Sequence, residues 1–184
     1  MEHREPLARL AALTTLSPWG RGERKDPMPA ITLDQANAII AAILQRGAEL
    51  DCRPLSVIVV EPGCKPKAFQ KEDGSSMIRF EMAFGKAYAA LALGRSSKLV
   101  RVRAQEKPIF MDYLLSASAE QIFPEGGGLL IRDADGEVIG AVGVTGDTED
   151  RDEELAAHGI HAAGLKTDDD CATMGRRVNV RKTE

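Results

Sequence analysis

Three charged residues within an apolar stretch are the first candidates for chemistry. Residues 77–93 read MIRFEMAFGKAYAALAL, and their only charges are Arg79, Glu81 and Lys86. Apolar residues would occupy almost every side of a helix with this sequence, so the stretch predicts a helix that is buried on most sides. Each charge must be paired or face a pocket, because an isolated buried charge costs several kcal/mol.

Helical geometry decides which of these charges can act together. Arg79 and Lys86 are two turns apart and share one face, whereas Glu81 points about 140° away from Lys86. Three interpretations stay open. Lys86 forms a structural ion pair with the acidic residues near Asp152 and Glu153; or Arg79 and Lys86 bind the carboxylate or phosphate of a ligand; or Lys86 and Glu81 act as acid and base after a burial-induced pKa shift.

A predicted β-hairpin carries the second group of candidates. Apolar runs at residues 128–131 and 138–144 flank Asp135-Gly136, a pair that supplies the positive φ of a tight turn. Thr148 and Asp150 are both suitable N-caps for the acidic helix that follows the hairpin. Residues 126–128, the glycine loop, precede the hairpin.

Glycine loops and helix N-termini expose backbone N–H groups, which favour anions. We therefore expect the charged helix, the glycine loop and the turn after the hairpin to converge on an anionic ligand, although the glycines could also serve only tight turns. The predicted site consists of Arg79, Glu81, Lys86, Gly126, Gly127, Gly128, Thr145, Asp152 and Glu153.

Other arrangements that carry chemistry are weak or missing in the sequence. Glu154, His158 and His161 have helical spacing for zinc or haem ligation. However, Gly159 lies between the histidines and no further strong ligand is near. We therefore interpret the two histidines as a surface pair and predict no metal site. The three cysteines have no metal-ligand spacing and are interpreted as free thiols. The glycine loop fits neither the dinucleotide nor the P-loop spacing.

Composition excludes several function classes. The chain of 184 residues carries 24 basic and 28 acidic residues, a net charge of −4, and few aromatics. Such a balance argues against a nucleic-acid surface. No apolar run approaches the ~18 residues of a membrane span, so we expect a cytoplasmic protein without nucleic-acid or membrane partners.

The elements that position these residues form one predicted α/β domain at 30–165. It opens with a capping box at Thr32 and Gln35, and Ser75 or Ser76 is predicted to cap the charged apolar helix. Residues 1–29 and 166–184 lack periodic apolar patterns and are predicted to be a flexible leader and tail. One small sheet cannot cover a helix that is apolar on nearly all sides, so we expect a homo-oligomer.

Four segments together carry a resemblance to a known family. ITLDQANAII, FEMAFGKAYAALALGRSS, PEGGGLLIRDADGEVIGAVGVTG and DEELAAHGI occur in the order seen in the GlcG/HbpS family, which includes the C-terminal domain of PduO-type proteins. The resemblance covers about residues 30–165. It implies an antiparallel, profilin-like sheet flanked by helices, assembled as a tetramer or octamer, and it makes haem a candidate ligand. The family's haem-ligating histidine is associated with the first helix, which has none here.

Two functions from different classes follow. The first is a binding module that holds an anionic or planar small molecule, haem included, between the central helix and the glycine loop. The second is a lyase, isomerase or hydrolase of hydroxy-acid or aromatic catabolism that uses Lys86 and Glu81. The binding module is favoured because the sequence contains no complete catalytic set.

Overall fold

Four antiparallel strands with helices on both faces make up the fold. The structure, a computed structural model, describes residues 29–171. Its elements are α1 Leu33–Glu49, β1 Ser56–Val60, β2 Pro66–Lys71, α2 Arg79–Leu93, α3 Ser97–Glu106, α4 Pro108–Ala117, β3 Gly128–Arg132, β4 Val138–Thr145, α5 Glu149–Ala162 and α6 Asp168–Cys171. The strands lie in the order β2-β1-β4-β3. The predicted class, an α/β domain with an antiparallel sheet flanked by helices, is confirmed.

The two faces of the sheet are buried by different helices. Successive side chains of a strand point to opposite faces, so β1 contributes to two cores. Val57 and Val59 pack with α1 and α5, whereas Ile58 and Val60 pack with Ala83, Ala87 and Ala90 of α2. A strand buried on both faces has no polar alternation, which explains the continuous apolar run VIVV that follows Ser56.

Helix starts follow the predictions in two cases of three. Thr32 and Gln35 form the capping box of α1, and the Thr148 side chain caps α5. The predicted cap of α2 by Ser75 or Ser76 is wrong. Its N-cap is Ile78, which provides no side-chain acceptor, and the Ser75 hydroxyl donates to the Leu55 carbonyl instead. The first turn of α2 therefore begins without a side-chain cap.

The folded unit extends beyond residue 165. Arg132 and Lys166 exchange two backbone hydrogen bonds of 2.9 Å, and the Arg132 guanidinium lies 2.6 Å from Asp168. Cys171 is buried in α6. Residues 166–171 of the predicted tail thus pack on β3, while residues 172–184 and 1–28 lie outside the described residues.

No helix within residues 29–171 is both long enough and apolar enough to cross a membrane.

The segment 166–171 is expected to contribute to stability. We compare two shortened chains, one ending at Leu165 and one ending at Cys171. The shorter chain loses both hydrogen bonds to Arg132 and the contact with Asp168, so its free energy of unfolding should be lower by about 1–3 kcal/mol. Urea unfolding measures the difference. Equal unfolding midpoints would show that this packing contributes nothing.

Candidate functional site

Lys86 forms a buried ion pair. Its Nζ lies 2.8 Å from Asp152 Oδ2, and the two side chains are only 4% and 2% exposed. The ammonium also donates to the Val144 carbonyl at 3.0 Å, while Asp152 Oδ1 accepts from the Asp147 N–H at 3.1 Å. Of the interpretations left open by the sequence, the structural ion pair is the one formed. It joins α2, the end of β4 and α5.

The glycine loop is closed by the protein's own groups. Gly127 N–H donates to Glu153 Oε2 at 2.9 Å, and Gly128 N–H donates to Ser97 Oγ at 2.8 Å. Gly127 has φ +108°, and a Cβ there would lie 2.6 Å from the Val144 carbonyl oxygen; a Cβ on Gly128 would overlap the Lys86 carbonyl. Both glycines are therefore needed for close packing against α2 and α5.

The surroundings of Glu153 are acidic. Burial raises the pKa of the Glu153 carboxyl, and the hydrogen bond from Gly127 opposes that rise. A recess of about 90 Å³ beside Glu153 also has Asp168 and Asp169 in its wall. Gly126, the first residue of the loop, is buried against Glu149. This side of the glycine loop does not favour an anionic ligand.

Glu81 lies apart from the other predicted site residues. It is exposed on α2, whereas Lys86 is buried on a different face of the same helix. The angle of about 140° expected from helical geometry is the reason. The structure does not bring Lys86 and Glu81 together as an acid and base.

Arg79 and Thr145 do come together, at the end of the sheet. Arg79 Nη1 donates to Thr145 Oγ1 at 3.1 Å, and its other terminal nitrogen lies 3.5 Å from the Gly146 carbonyl oxygen. In the strand register, Ser56 is opposite both Thr145 and Lys71. We call Arg79, Thr145, Ser56 and Lys71 the sheet-end cluster.

Strand alternation places the cluster on the α2 face of the sheet. Ser56 is two residues from Ile58, and Thr145 is four residues from Ala141; Ile58 and Ala141 both pack against α2. The cluster therefore joins two hydroxyls and a guanidinium under the start of α2, and the exposed Lys71 lies opposite Ser56 on the edge strand β2.

Two buried polar atoms of this cluster lack hydrogen-bond partners. Within residues 29–171, neither Ser56 Oγ nor Arg79 Nε has one. Buried polar atoms are nearly always satisfied, so each exception needs an explanation. The neighbouring start of α2 has no side-chain cap, and it exposes Met77, Ile78 and Phe80, at 91%, 56% and 37%. Hydrogen-bond donors beside an apolar surface suit an anionic ligand with an apolar body.

Sequence reasoning identified Arg79 and Thr145 but missed Ser56 and Lys71. The signal for Ser56 was its polarity at the start of a strand whose five residues are all buried. For Lys71 there was no comparable signal, because its position opposite Ser56 depends on the register of β1 with β2.

Lys71 also borders an open cleft of about 750 Å³. The cleft lies beside α1 and β2, and three carboxylates line it, from Asp51, Glu72 and Asp73. One ammonium against three carboxylates makes the cleft a poorer anion site than the sheet-end cluster.

The two described histidines lie on α5, away from the cluster. His158 is exposed, and His161 Nε2 lies 2.7 Å from Asp170 Oδ2. Hydrogen bonds from Thr167, and next from His161, lower the pKa of the Asp170 carboxyl to about 2. Across residues 29–171, no three His, Cys, Asp or Glu side chains are grouped so that they could hold a metal ion.

Comparison with known families decides where this fold belongs. Residues 31–161, more than half of the chain, match the family model described as haem degrading protein HbpS-like. The chain belongs to the HbpS-like family. The resemblance to GlcG/HbpS proteins found in the sequence is thereby confirmed.

Individual relatives of this HbpS-like protein are distant. An uncharacterised 15.0 kDa protein from the dhaT–dhaS intergenic region of Citrobacter freundii is 28% identical over 133 residues, which is 72% of this chain and 92% of that protein.

Solved structures share the fold. Klebsiella pneumoniae protein ORFY is 24% identical with a TM-score of 0.68, and the match covers 78% of this chain and 97% of that one. The PduOC–heme complex is 22% identical with a TM-score of 0.68, covering 75% and 98%. HbpS is 22% identical with a TM-score of 0.66, covering 78% and 96%.

The Lys86–Asp152 pair is expected to be a major determinant of stability. Lys86→Met leaves the Asp152 carboxylate buried and unpaired, so the free energy of unfolding should fall by about 3–5 kcal/mol. The double variant Lys86→Met/Asp152→Leu should recover much of this loss, because it leaves no unpaired buried charge. Urea unfolding provides the measurement.

Lys98→Met is the matched control. It breaks the exposed pair of Lys98 with Asp150 and should change stability little. The single variant Asp152→Leu completes the comparison. If the double variant loses as much stability as Lys86→Met and Asp152→Leu lose together, Lys86 and Asp152 are not directly coupled.

Proposed function

We propose that this HbpS-like protein binds a small anionic ligand with a planar or apolar body at the sheet-end cluster. The observation that carries the proposal is the pair of buried donors without partners, Ser56 Oγ and Arg79 Nε, on residues that both adjoin Thr145. A carboxylate would satisfy both donors. Hydrogen bonds to charged groups contribute about 1.5–3 kcal/mol each, more than bonds between neutral groups.

The start of α2 supplies the remaining features of the proposed site. Its uncapped first turn presents backbone N–H groups and the positive end of the helix dipole, which favour an anion. Exposed Met77 and Ile78 offer an apolar surface for the body of the ligand. The two unpartnered atoms are buried, so access requires that the connection between β2 and α2, residues 72–78, shifts.

Lys86 has a supporting role in this proposal. It holds the Val144 carbonyl and, through Asp152, the Asp147 N–H, so it orders both sides of Thr145 and Gly146. The carbonyl and hydroxyl that contact Arg79 belong to these two residues. The sequence predicted that the ligand lies where the glycine loop, Lys86 and the Thr145 turn converge. In this proposal the ligand instead contacts Arg79 and Ser56 beside Thr145, and not the glycine loop.

Haem ligated by histidine does not fit the described residues. α1 contains no histidine, and the two histidines of residues 29–171 are both on the exposed side of α5. Haem iron also accepts other axial ligands, but such ligation would still need a shaped apolar pocket around the ring. We therefore propose a ligand that is held by its anionic group rather than through a metal.

The outer face of α2 supports the proposal of a homo-oligomer. Phe80, Phe84 and Tyr88 recur every four residues, with ring centroids 6.0 and 5.9 Å apart, and Phe69 joins the row at 5.1 Å from Phe80. All four rings are partly exposed, while the inner face of α2 is buried on the sheet. A second copy of the chain would cover this aromatic row, in a tetramer or octamer built from such contacts.

Binding is tested with two planar dicarboxylates, haemin and metal-free protoporphyrin IX. Because no axial histidine is needed, we expect similar affinity for both. Arg79→Gln should weaken both by about tenfold or more, and Ser56→Ala by about threefold to tenfold, since each removes a donor to the carboxylate. Soret absorbance measures haemin binding, and porphyrin fluorescence measures the metal-free probe.

Arg46→Gln, which alters an arginine of α1 paired with Glu49, is the control and should leave both affinities unchanged. The proposal fails if neither probe binds, or if Arg79→Gln binds as well as Arg46→Gln. Ser56→Ala should not reduce stability in the absence of ligand, because its hydroxyl has no partner to lose.

Self-association is tested by light scattering. The unaltered chain is expected to be an oligomer at micromolar concentration, and Phe84→Glu should dissociate it by placing a charge in the aromatic row. Tyr113→Glu changes an exposed aromatic residue of α4 and serves as the control. A monomeric unaltered chain would refute the oligomer, and dissociation by Tyr113→Glu alone would place the interface elsewhere.

A further inference from the structure

Another cavity, remote from the sheet-end cluster, lies where α2, α3 and α4 meet. Its volume is about 150 Å³, and its lining residues are Leu93, Arg95, Val100, Arg103, Phe110 and Leu114. Val100 is fully buried and belongs to a small core with Met111 and Ile122. One wall of the cavity is therefore part of a packed core.

The sequence of α3 and α4 explains how this cavity forms. Val100 and Arg103 are three residues apart on α3, and Phe110 and Leu114 are four residues apart on α4, so each pair shares one helical face. Arg95 follows Gly94, whose left-handed conformation, φ +63°, ends α2 and turns the chain towards α3. Two arginines from different segments thus reach the same apolar hollow.

Both guanidinium groups retain free donors. Arg95 Nε makes one long hydrogen bond, 3.4 Å, to the Leu93 carbonyl. Arg103 Nη1 lies 3.8 Å from Glu106 Oε2, which is beyond hydrogen-bond distance. The neighbouring Arg101 differs, because it is engaged by Glu149 and Glu125. An arginine has five N–H donors, so Arg95 and Arg103 can both bind another acceptor.

Charge and size together define the ligand class. The lining has two cations, four apolar side chains and no acidic residue. Paired arginines favour a carboxylate, which accepts two parallel hydrogen bonds from one guanidinium. A volume of about 150 Å³ is below the ~300–1,000 Å³ typical of sites for drug-sized ligands, so the cavity suits a body about as large as one aromatic ring.

We infer that this cavity binds a small monocarboxylate, with the carboxylate between Arg95 and Arg103 and the apolar body against Val100, Leu114 and Phe110. The half-exposed ring of Phe110 closes one side of the site. None of these residues belongs to the sheet-end cluster, so the inference goes beyond the proposed function and stands independently of it.

Benzoate is the probe, and isothermal titration calorimetry on the full chain is the measurement. We expect saturable binding in the millimolar range or tighter. Arg95→Gln and Arg103→Gln should each weaken it about tenfold or more, because each removes charge-assisted hydrogen bonds. Arg101→Gln, on the same helix as Arg103, is the control and should leave benzoate affinity unchanged. Loss of benzoate binding on Arg79→Gln alone would place the benzoate at the sheet-end cluster and overturn the inference.

The comparison with benzamide needs no variant. Benzamide has the same ring without the charge and should bind at least about tenfold more weakly than benzoate. The inference is overturned if benzoate does not bind, if benzamide binds equally well, or if Arg103→Gln retains the affinity of Arg101→Gln. Should a glutamine variant fail to fold, the benzoate and benzamide affinities of the unaltered protein decide the outcome.

Discussion

The buried ion pair of Lys86 with Asp152 is the interaction on which the rest of the structure depends. Two charges removed from water are tolerated only when their remaining hydrogen-bonding capacity is used, and here Val144 and Asp147 use it. The pair draws α2, the end of β4 and α5 to within a few ångströms of one another. Gly127 and Gly128 pass through this crowded region, where any side chain would collide with Val144, Asp152 or Lys86.

This packing explains why a glycine loop beside a buried lysine is not by itself a ligand site. Free N–H groups and an unpaired ammonium would attract an anion, but the N–H groups bind Glu153 and Ser97, and the ammonium binds Asp152. The protein supplies its own acceptors at that point. Within residues 29–171, the buried donors without partners are instead Ser56 Oγ and Arg79 Nε, beside Thr145 at the last residue of β4.

The faces of helix α2 differ in the size and polarity of their side chains. Small residues, Ala83, Ala87 and Ala90, let the helix lie close to the sheet. Aromatic rings occupy the outer face, and Arg79 lies at the uncapped start. The helix connects three roles: core packing, the proposed contact with another copy, and the proposed ligand site. The chain belongs to the HbpS-like family. Its α1 contains no histidine, so this helix has no imidazole that could ligate haem.

The sequence by itself determined most of the local structure, the fold class and the family. The capping box of α1, the Thr148 cap and the hairpin turn at Asp135-Gly136 depend on residues close in the chain, so short-range patterns were sufficient to predict them. Only the tertiary structure decided which acid pairs with Lys86, because 66 residues separate Lys86 from Asp152. It also decided the position of Ser56, which is set by strand register, and the use of the glycine N–H groups. These depend on long-range packing, which local periodicity does not encode.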